Sequence, residues 1–407
     1  GRLRAIARRP RARPCGCAPA PRAAPARPLC GMCENCLTVV GLGCICCCEF
    51  RCNLQGMRNA LAFLPPRPSS YVVQQGSNDE TKGKIVYIEK RLQESVQYQR
   101  AASCAEVSWV EPRRGCQVPV VWLRRQSWQP KADAEPPLVL LHCHGNATDL
   151  GLMMGHYLEL VQALGVDVVG VEYTGYGAAG GRLNTKHVAS DIEAAYELIT
   201  SSGVPPGRIV AYGQSVGSAP AVHLASVRRL GGLVLHSPLA SGLRVIDRNP
   251  NDCCRPSCAI ACFDIFRNDR KITAVSCPVL IMHGQCDEVV PIHNAQLLHR
   301  KCSESSRRPP YFVPKAGHND IVEINTEAYF RRLRGFFSEL QQGAAPAGGF
   351  AACLGKPRQL EMQPEGQKAV GEAPATVVEP KVGPTDGRYE HLRHGGGLSG
   401  AARAAAS

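Results

Sequence analysis

Short, nearly unbroken apolar runs recur through the middle of this chain and limit what it can fold into. They are Leu138–His142, Val166–Tyr173, Arg208–Tyr212, Leu233–His236, Val279–His283 and Tyr311–Val313. Runs without polar alternation are expected of parallel strands buried on both faces. Between them lie segments of helical period. In Lys186–Ser202, Val188, Ile192, Ala195 and Ile199 fall at i, i+4, i+7 and i+11, and Tyr329, Leu333, Phe336 and Leu340 repeat that spacing. The alternation predicts an α/β fold over residues 57–342, a mostly parallel central sheet with helices on both faces. Sheets of this kind present their chemistry at the carboxyl ends of the strands.

Charge decides which partners to expect. The formal net charge of +13 is concentrated at one end, because residues 1–28 hold eight Arg and no acid. Residues 343–407 carry seven basic and six acidic groups, which leaves 32 basic against 28 acidic in residues 29–342. The folded part is therefore close to neutral and lacks the electrostatic footprint of a nucleic-acid binder. Residues 1–56 read as an Arg/Pro-rich leader followed by a Cys-rich segment, and residues 343–407 as a disordered low-complexity tail. The stretch before Met32 is low in complexity, and Met32 is an expected alternative start. Ten of the 21 Cys fall between Cys15 and Cys52. A disulfide scaffold would spread them through a short chain, so the thiols are expected reduced and the protein exposed to cytosol. The longest uncharged run there, Leu37 to Cys48, has twelve residues, short of the roughly 18 a spanning helix needs.

The chemistry is carried by Gly213-Gln214-Ser215-Val216-Gly217, which follows the strand Arg208–Tyr212 and precedes a helix-capable run from Ser218 to Arg229. This is G-x-S-x-G in a strand–turn–helix context, where a strained serine is held above a helix N-terminus. Gly213 and Gly217 are the small residues such an elbow requires. A nucleophilic serine needs a base, and the base needs an orienting acid, in the chain order Ser, Asp, His on an α/β-hydrolase fold. Asp287 lies just past the strand Val279–His283, and His318 just past Tyr311–Val313. Ser215, Asp287 and His318 are thus the expected nucleophile, acid and base.

Asp264, Glu288 and Asp320 are rivals for the acid, and Asp320 is expected to cap the helix that follows it. His142, His236 and His283 sit in or at the ends of buried strands and read as core or supporting groups. The oxyanion hole is expected from two backbone N–H groups, that of Val216 after the nucleophile and that of Asn146 in the loop His142-Cys143-His144-Gly145-Asn146. The stretch from His236 to Cys277 has room for a short lid only. Its Cys253, Cys254, Cys258 and Cys262 read as free thiols in preference to a zinc site, because the adjacent pair has unusual ligand spacing.

Several blocks together resemble the α/β-hydrolase domain-containing 17 proteins. They are His144-Gly145-Asn146-Ala147 with Asp149-Leu150-Gly151, Tyr173-Thr174-Gly175-Tyr176-Gly177, Tyr212-Gly213-Gln214-Ser215, the run His236–Val245, Cys262-Phe263-Asp264, the run Ala316–Ile321 and, upstream, Ala60–Pro68. The resemblance covers roughly residues 44–340 and is specific because the blocks occur jointly. It implies a membrane-attached serine hydrolase that removes palmitate from cysteines of other proteins, with Ser215, Asp287 and His318 on the family's nucleophile, acid and base. It also implies that Cys44, Cys46, Cys47, Cys48 and Cys52 are themselves palmitoylated. S-palmitoylated membrane proteins would then be the substrates, and the cytoplasmic face of plasma or endosomal membranes the location. Two or more acyl chains hold a protein to a bilayer stably where one does not. This chain departs from the family in its leader, its tail and the longer cysteine-bearing insert before Cys262.

Other readings remain open on sequence alone. The same serine chemistry serves a lipase or esterase acting on lipid oxygen esters such as monoacylglycerols. A catalytically silent membrane-anchored binding protein is a second alternative. A zinc-binding adaptor built on Cys30, Cys33 and Cys36 is a third, disfavoured because the contiguous Cys46, Cys47 and Cys48 rarely wrap one tetrahedral ion. No metal and no cofactor is implied, and the oligomeric state is not set.

Overall fold

The computed structural model describes residues 34–49, 51, 53–76, 79–125, 137–247, 249, 251 and 255–343. The leader over residues 1–28, Cys30, Cys33, Cys52, Cys253, Cys254 and residues 344–407 lie outside the described residues, as do the side chains of Cys36 and Cys47.

The six apolar runs are strands, and all but the last, an edge strand with partly buried Tyr311 and Phe312, have side chains buried on both faces. They are β5 (Val139–Cys143), β6 (Asp167–Val171), β7 (Ile209–Gln214), β8 (Gly232–His236), β9 (Val279–Gly284) and β10 (Tyr311–Val313). They pair in parallel in the order β6-β5-β7-β8-β9-β10. Alternation along them splits the core in two. Val139, Leu141, Ile209, Ala211, Leu233, Leu235, Val279 and Ile281 face one side, and Leu140, Val210, Tyr212, Val234, Leu280 and Met282 the other. Each fully buried Leu or Ile contributes roughly 1.5–3 kcal/mol of burial.

Four further strands precede these and extend the sheet antiparallel: β1 (Tyr71–Gly76), β2 (Asp79–Tyr87), β3 (Ala105–Val110) and β4 (Val118–Leu123). They run in the order β1-β2-β3-β4, with β4 joined to β6, so the described sheet is ten-stranded and mixed. Sequence periodicity did not single them out. Strict alternation of strand and helix therefore holds only from β5 onward.

Helices cover both faces. In chain order they are α1 (Glu34–Cys48), α2 (Leu54–Ala62), α3 (Lys90–Glu94), α4 (Val96–Ser103), α5 (Leu150–Leu164), α6 (Thr185–Ser201), α7 (Ser218–Val227), α8 (Pro256–Ala259), α9 (Asn268–Lys271), α10 (His293–Lys301), α11 (Ile321–Ile324) and α12 (Thr326–Gly343). The apolar stripe Val188, Ile192, Ala195 and Ile199 of α6 packs with α7 and α10 on the first face. The second is covered by α4, α5 and the stripe Tyr329, Leu333, Phe336 and Leu340 of α12. α8, α9 and short 3-10 turns make up the lid between β8 and β9. This is the α/β-hydrolase fold. α2 begins at Asn53, whose side chain caps it by accepting from Gly56 N–H. The helix is hydrogen-bonded into the fold through Arg58, which donates to Cys262 O, and Asn59, which donates to Leu183 O. No helix among the described residues is long and apolar enough to cross a membrane.

Candidate active site

β7 ends in the turn that carries Ser215, and Ser215 sits at φ 52°, the left-handed region that L-residues rarely occupy. The two glycines make that turn possible. A Cβ on Gly213 would lie 2.6 Å from Gly217 O and Ser218 Cα, and one on Gly217 would overlap the carbonyl oxygens of Cys143 and His144. α7 starts immediately afterwards at Ser218, whose Oγ donates to Ser215 O at 2.6 Å.

The loops after β9 and β10 bring the other two groups to Ser215. His318 Nε2 lies 2.9 Å from Ser215 Oγ, and His318 Nδ1 lies 2.7 Å from Asp287 Oδ2. Ser215 and His318 are half-buried, while Asp287 is buried. Asp287 Oδ1 accepts from the N–H groups of Val289 and Val290 at 2.9 and 2.8 Å. Burial alone would raise the Asp287 pKa. The hydrogen bonds from His283 and His318, the charge of His318 and the Val290 N–H outweigh it and hold the carboxyl well below its usual range. An ionised Asp287 fixes the proton of His318 on Nδ1 and leaves Nε2 free to accept from Ser215 Oγ.

The three rivals for the acid are engaged or remote. Asp264 Oδ1 accepts from Leu243 N–H and Ile265 N–H, and Glu288 is exposed. Asp320 stands at the N-cap of α11 as expected, but its side chain makes no cap hydrogen bond. It accepts from Gly317 N–H at 2.6 Å and so shapes the turn that presents His318. Ser237, strained at φ 47°, donates through Oγ to His318 O at 3.3 Å.

The loop after β5 approaches Ser215 from the opposite side. Gly145 borders it closely enough that a Cβ would sit 3.6 Å from Ser215 Cβ. His144 is buried behind the loop, with Nδ1 2.9 Å from Gly145 O and Nε2 2.9 Å from Glu172 Oε1. Glu172 Oε2 in turn accepts from Tyr71 O–H and Leu150 N–H. Asn146 uses its side chain as a clamp. Oδ1 accepts from Tyr176 O–H at 2.7 Å and Leu64 N–H at 3.2 Å, and Nδ2 donates to Ala62 O at 2.9 Å. Ala147 N–H donates to Leu64 O at 2.8 Å.

The segment that follows α2 is thereby tied to this loop. Phe63 makes edge contacts with Tyr176 and with Phe266 of the lid, and Arg58 donates to Cys262 O and lies over the Phe263 ring. Sequence reasoning took Asn146 for its backbone alone and did not find Glu172 or the residues 62–64. The signal available for those residues was the block Ala60–Pro68.

α1 packs beside α8. On α1, Cys44 and Cys48 are exposed and Cys46 is buried; on the lid, Cys258 and Cys262 are exposed. Among the described residues no group of three or more His, Cys, Asp or Glu is placed to hold a metal ion.

The chain is similar to curated proteins over most of its described length. It is 37% identical over 293 residues to "Alpha/beta hydrolase domain-containing protein aho-3" of Caenorhabditis elegans, covering 71% of this chain and 81% of that protein. It is 34% identical over 301 residues to "Alpha/beta hydrolase domain-containing protein 17B" of Homo sapiens, covering 72% and 95%. No family model matches the sequence. Among solved structures it is similar to the Pyrococcus furiosus esterase Pf2001, at 15% identity and a TM-score of 0.45 over 68% of this chain and 98% of that one. It is also similar to a Mycobacterium tuberculosis puromycin-hydrolyzing peptidase, at 16% identity and a TM-score of 0.47 over 68% and 45%.

Proposed function

The chain belongs to the α/β-hydrolase domain-containing 17 family of hydrolases, and from that footing we propose that it is a membrane-attached serine hydrolase cleaving palmitoyl-cysteine thioesters on other proteins. The observation that carries this reading is the relay from Ser215 Oγ through His318 to Asp287, with separations of 2.9 and 2.7 Å. His318 Nε2 takes the proton of Ser215 as Oγ attacks the thioester carbonyl. Asp287 stabilises the imidazolium that forms. The N–H groups of Val216 and Asn146 receive the tetrahedral oxyanion, a role that donors near 3 Å fill at a typical benefit of a few kcal/mol. Proton transfer from His318 accompanies departure of the cysteine sulfur. Water, deprotonated by the same imidazole, then releases palmitate and regenerates Ser215.

The substrate class comes from the family resemblance. Exposed apolar side chains support an attached enzyme: Val40 on α1, Leu61 in the last turn of α2, Leu64 just after it and Ile246 in the lid. Among the described residues Cys44 and Cys48 are exposed and accessible to acylation, whereas Cys46 is buried in this packing. Two chains suffice for stable anchoring.

Fluorophosphonate labelling of the wild type and Ser215→Ala, followed by release of palmitate from a palmitoyl-peptide thioester, tests the proposal. Labelling is expected in the wild type only, with thioester turnover that Ser215→Ala lowers by about 10⁴-fold or more. Labelling with turnover of monoacylglycerol but not of thioester would move the substrate to oxygen esters. A folded wild type that resists the probe would remove the hydrolase reading altogether.

A further inference from the structure

We propose that His283 is a positioning residue of the hydrolytic site, a second imidazole that holds Asp287 for His318. The inference rests on Asp287 being the acid of the Ser215–His318 relay.

His283 is the penultimate residue of β9, and the alternation of that strand turns it to the same side as Val279 and Ile281. Its side chain and that of Asp287 are both fully buried. His283 Nε2 lies 2.8 Å from Val290 O and 3.2 Å from Asp287 Oδ2. A carbonyl oxygen only accepts, so the ring carries its proton on Nε2, hydrogen-bonded to Val290 O with Asp287 Oδ2 beside it at 3.2 Å. Nδ1 is buried and meets no hydrogen-bond partner among the described residues. That fits a neutral ring with a bare lone pair on Nδ1, because an imidazolium would bury an unsatisfied N–H.

Asp287 is therefore faced by four N–H groups. Oδ1 takes the two backbone N–H groups of Val289 and Val290, and Oδ2 takes His318 and His283. The backbone pair fixes one end of the carboxylate. His283 occupies the part of Oδ2 that His318 does not use, so the carboxylate cannot turn away from the base. Its donor also helps keep Asp287 ionised in a site where burial works against the charge. His283 Nε2 is engaged by Val290 O and His318 Nε2 is the imidazole nitrogen against Ser215 Oγ, so the role of His283 runs through Asp287.

The test compares His283→Gln, His283→Asn and His283→Leu in the full chain, by kcat and KM on an activated acyl ester and by thermal unfolding. A glutamine amide reaches the position of Nε2 and can donate to Asp287. An asparagine amide, one methylene shorter, reaches only the position of Nδ1. His283→Gln is expected to keep kcat within roughly threefold of the wild type, while Asn and Leu lower it about 10- to 100-fold with KM nearly unchanged, the loss of one hydrogen bond to a charged group. A merely structural role would treat Gln and Asn alike and let activity follow the melting temperature.

Folded Asn or Leu variants with wild-type kcat would overturn the inference, as would losses confined to KM. So would a Gln variant that loses as much as Asn. If Asp287→Asn were itself fully active, or the wild type failed to take up the fluorophosphonate, the relay reading would fall first and this inference with it.

Discussion

Ser215 keeps a backbone conformation that costs of order 1–3 kcal/mol for an L-residue, and the surrounding atoms enforce it. Gly217 is where they press hardest. The carbonyl oxygens of Cys143 and His144 at the end of β5 occupy the space a side chain would need, and backbone cannot rotate aside as a flexible side chain can. Gly217→Ala is expected to destabilise the fold by about 1–3 kcal/mol and to abolish fluorophosphonate labelling, because the shift needed to relieve the overlap moves Ser215. Gly145 provides the contrast. A Cβ there meets Ser215 Cβ and Gln214 O at 3.6 and 3.7 Å, ordinary contact distances. Gly145→Ala should therefore melt within a few degrees of the wild type, a shift of less than about 1 kcal/mol. Two glycines flanking the same reaction centre thus answer one methyl group differently, and differential scanning fluorimetry separates them. Equal losses of stability would show that the close approach of β5 to the elbow is not what Gly217 serves.

At the scale of elements, α2 and the residues after it form a bridge. Asn146 ties Ala62 and Leu64 to the loop after β5, and Phe63 ties them to Tyr176 and to Phe266 in the lid. Asn146→Ala removes the clamp and leaves the backbone N–H at that position. It is expected to lower kcat about 10- to 100-fold through a loosened oxyanion donor, with a smaller change in KM. Steady-state kinetics on a soluble ester checks this; an unchanged kcat would show that His144, Glu172 and the Ala147–Leu64 backbone bond hold the loop without the clamp. The bridge also shows what was legible beforehand. β5 to β9 could be read because both of their faces are buried, so composition alone marks them, and β10 by its short aromatic and apolar run. β1 to β4 could not. β1 alternates buried Tyr71 with exposed Val72, and β2 opens on Asp79-Glu80-Thr81-Lys82, so these strands are defined by their pairing and not by their own sequence. The relay residues were legible because each follows a marked strand. Glu172 and the side-chain role of Asn146 were not, and His283 was legible only as a core or supporting group, since each depends on a partner that only the folded chain brings near.

Across the whole molecule, buried ionisable groups away from Ser215 set how the fold responds to pH. Burial lowers the pKa of His142 well below 6.5 and that of His236 to about 3, while their unfolded forms titrate near 6.5. Between those limits the unfolded chain binds protons that the native chain refuses, so stability falls as the pH falls through this window. Asp191 works in the opposite sense. Burial, against the hydrogen bonds from Thr174, raises it from 3.8 to about 7, so its contribution is complete below 3.8 and is lost as the pH rises through 7. Two imidazoles oppose one carboxyl, and the net slope in the acid window follows the imidazoles. Urea midpoints are therefore expected to fall as the pH is lowered from about 7 to about 4. His236→Asn, whose amide reaches the position of Nδ1 and can bond Tyr212 Oη but does not titrate, should flatten that fall. Asp191→Asn should steepen it, because the only opposing group is gone from the set. If all three proteins showed the same dependence, the acid response would have to arise elsewhere, with His293 and His299, both lowered from 6.5 by burial, the next groups to test.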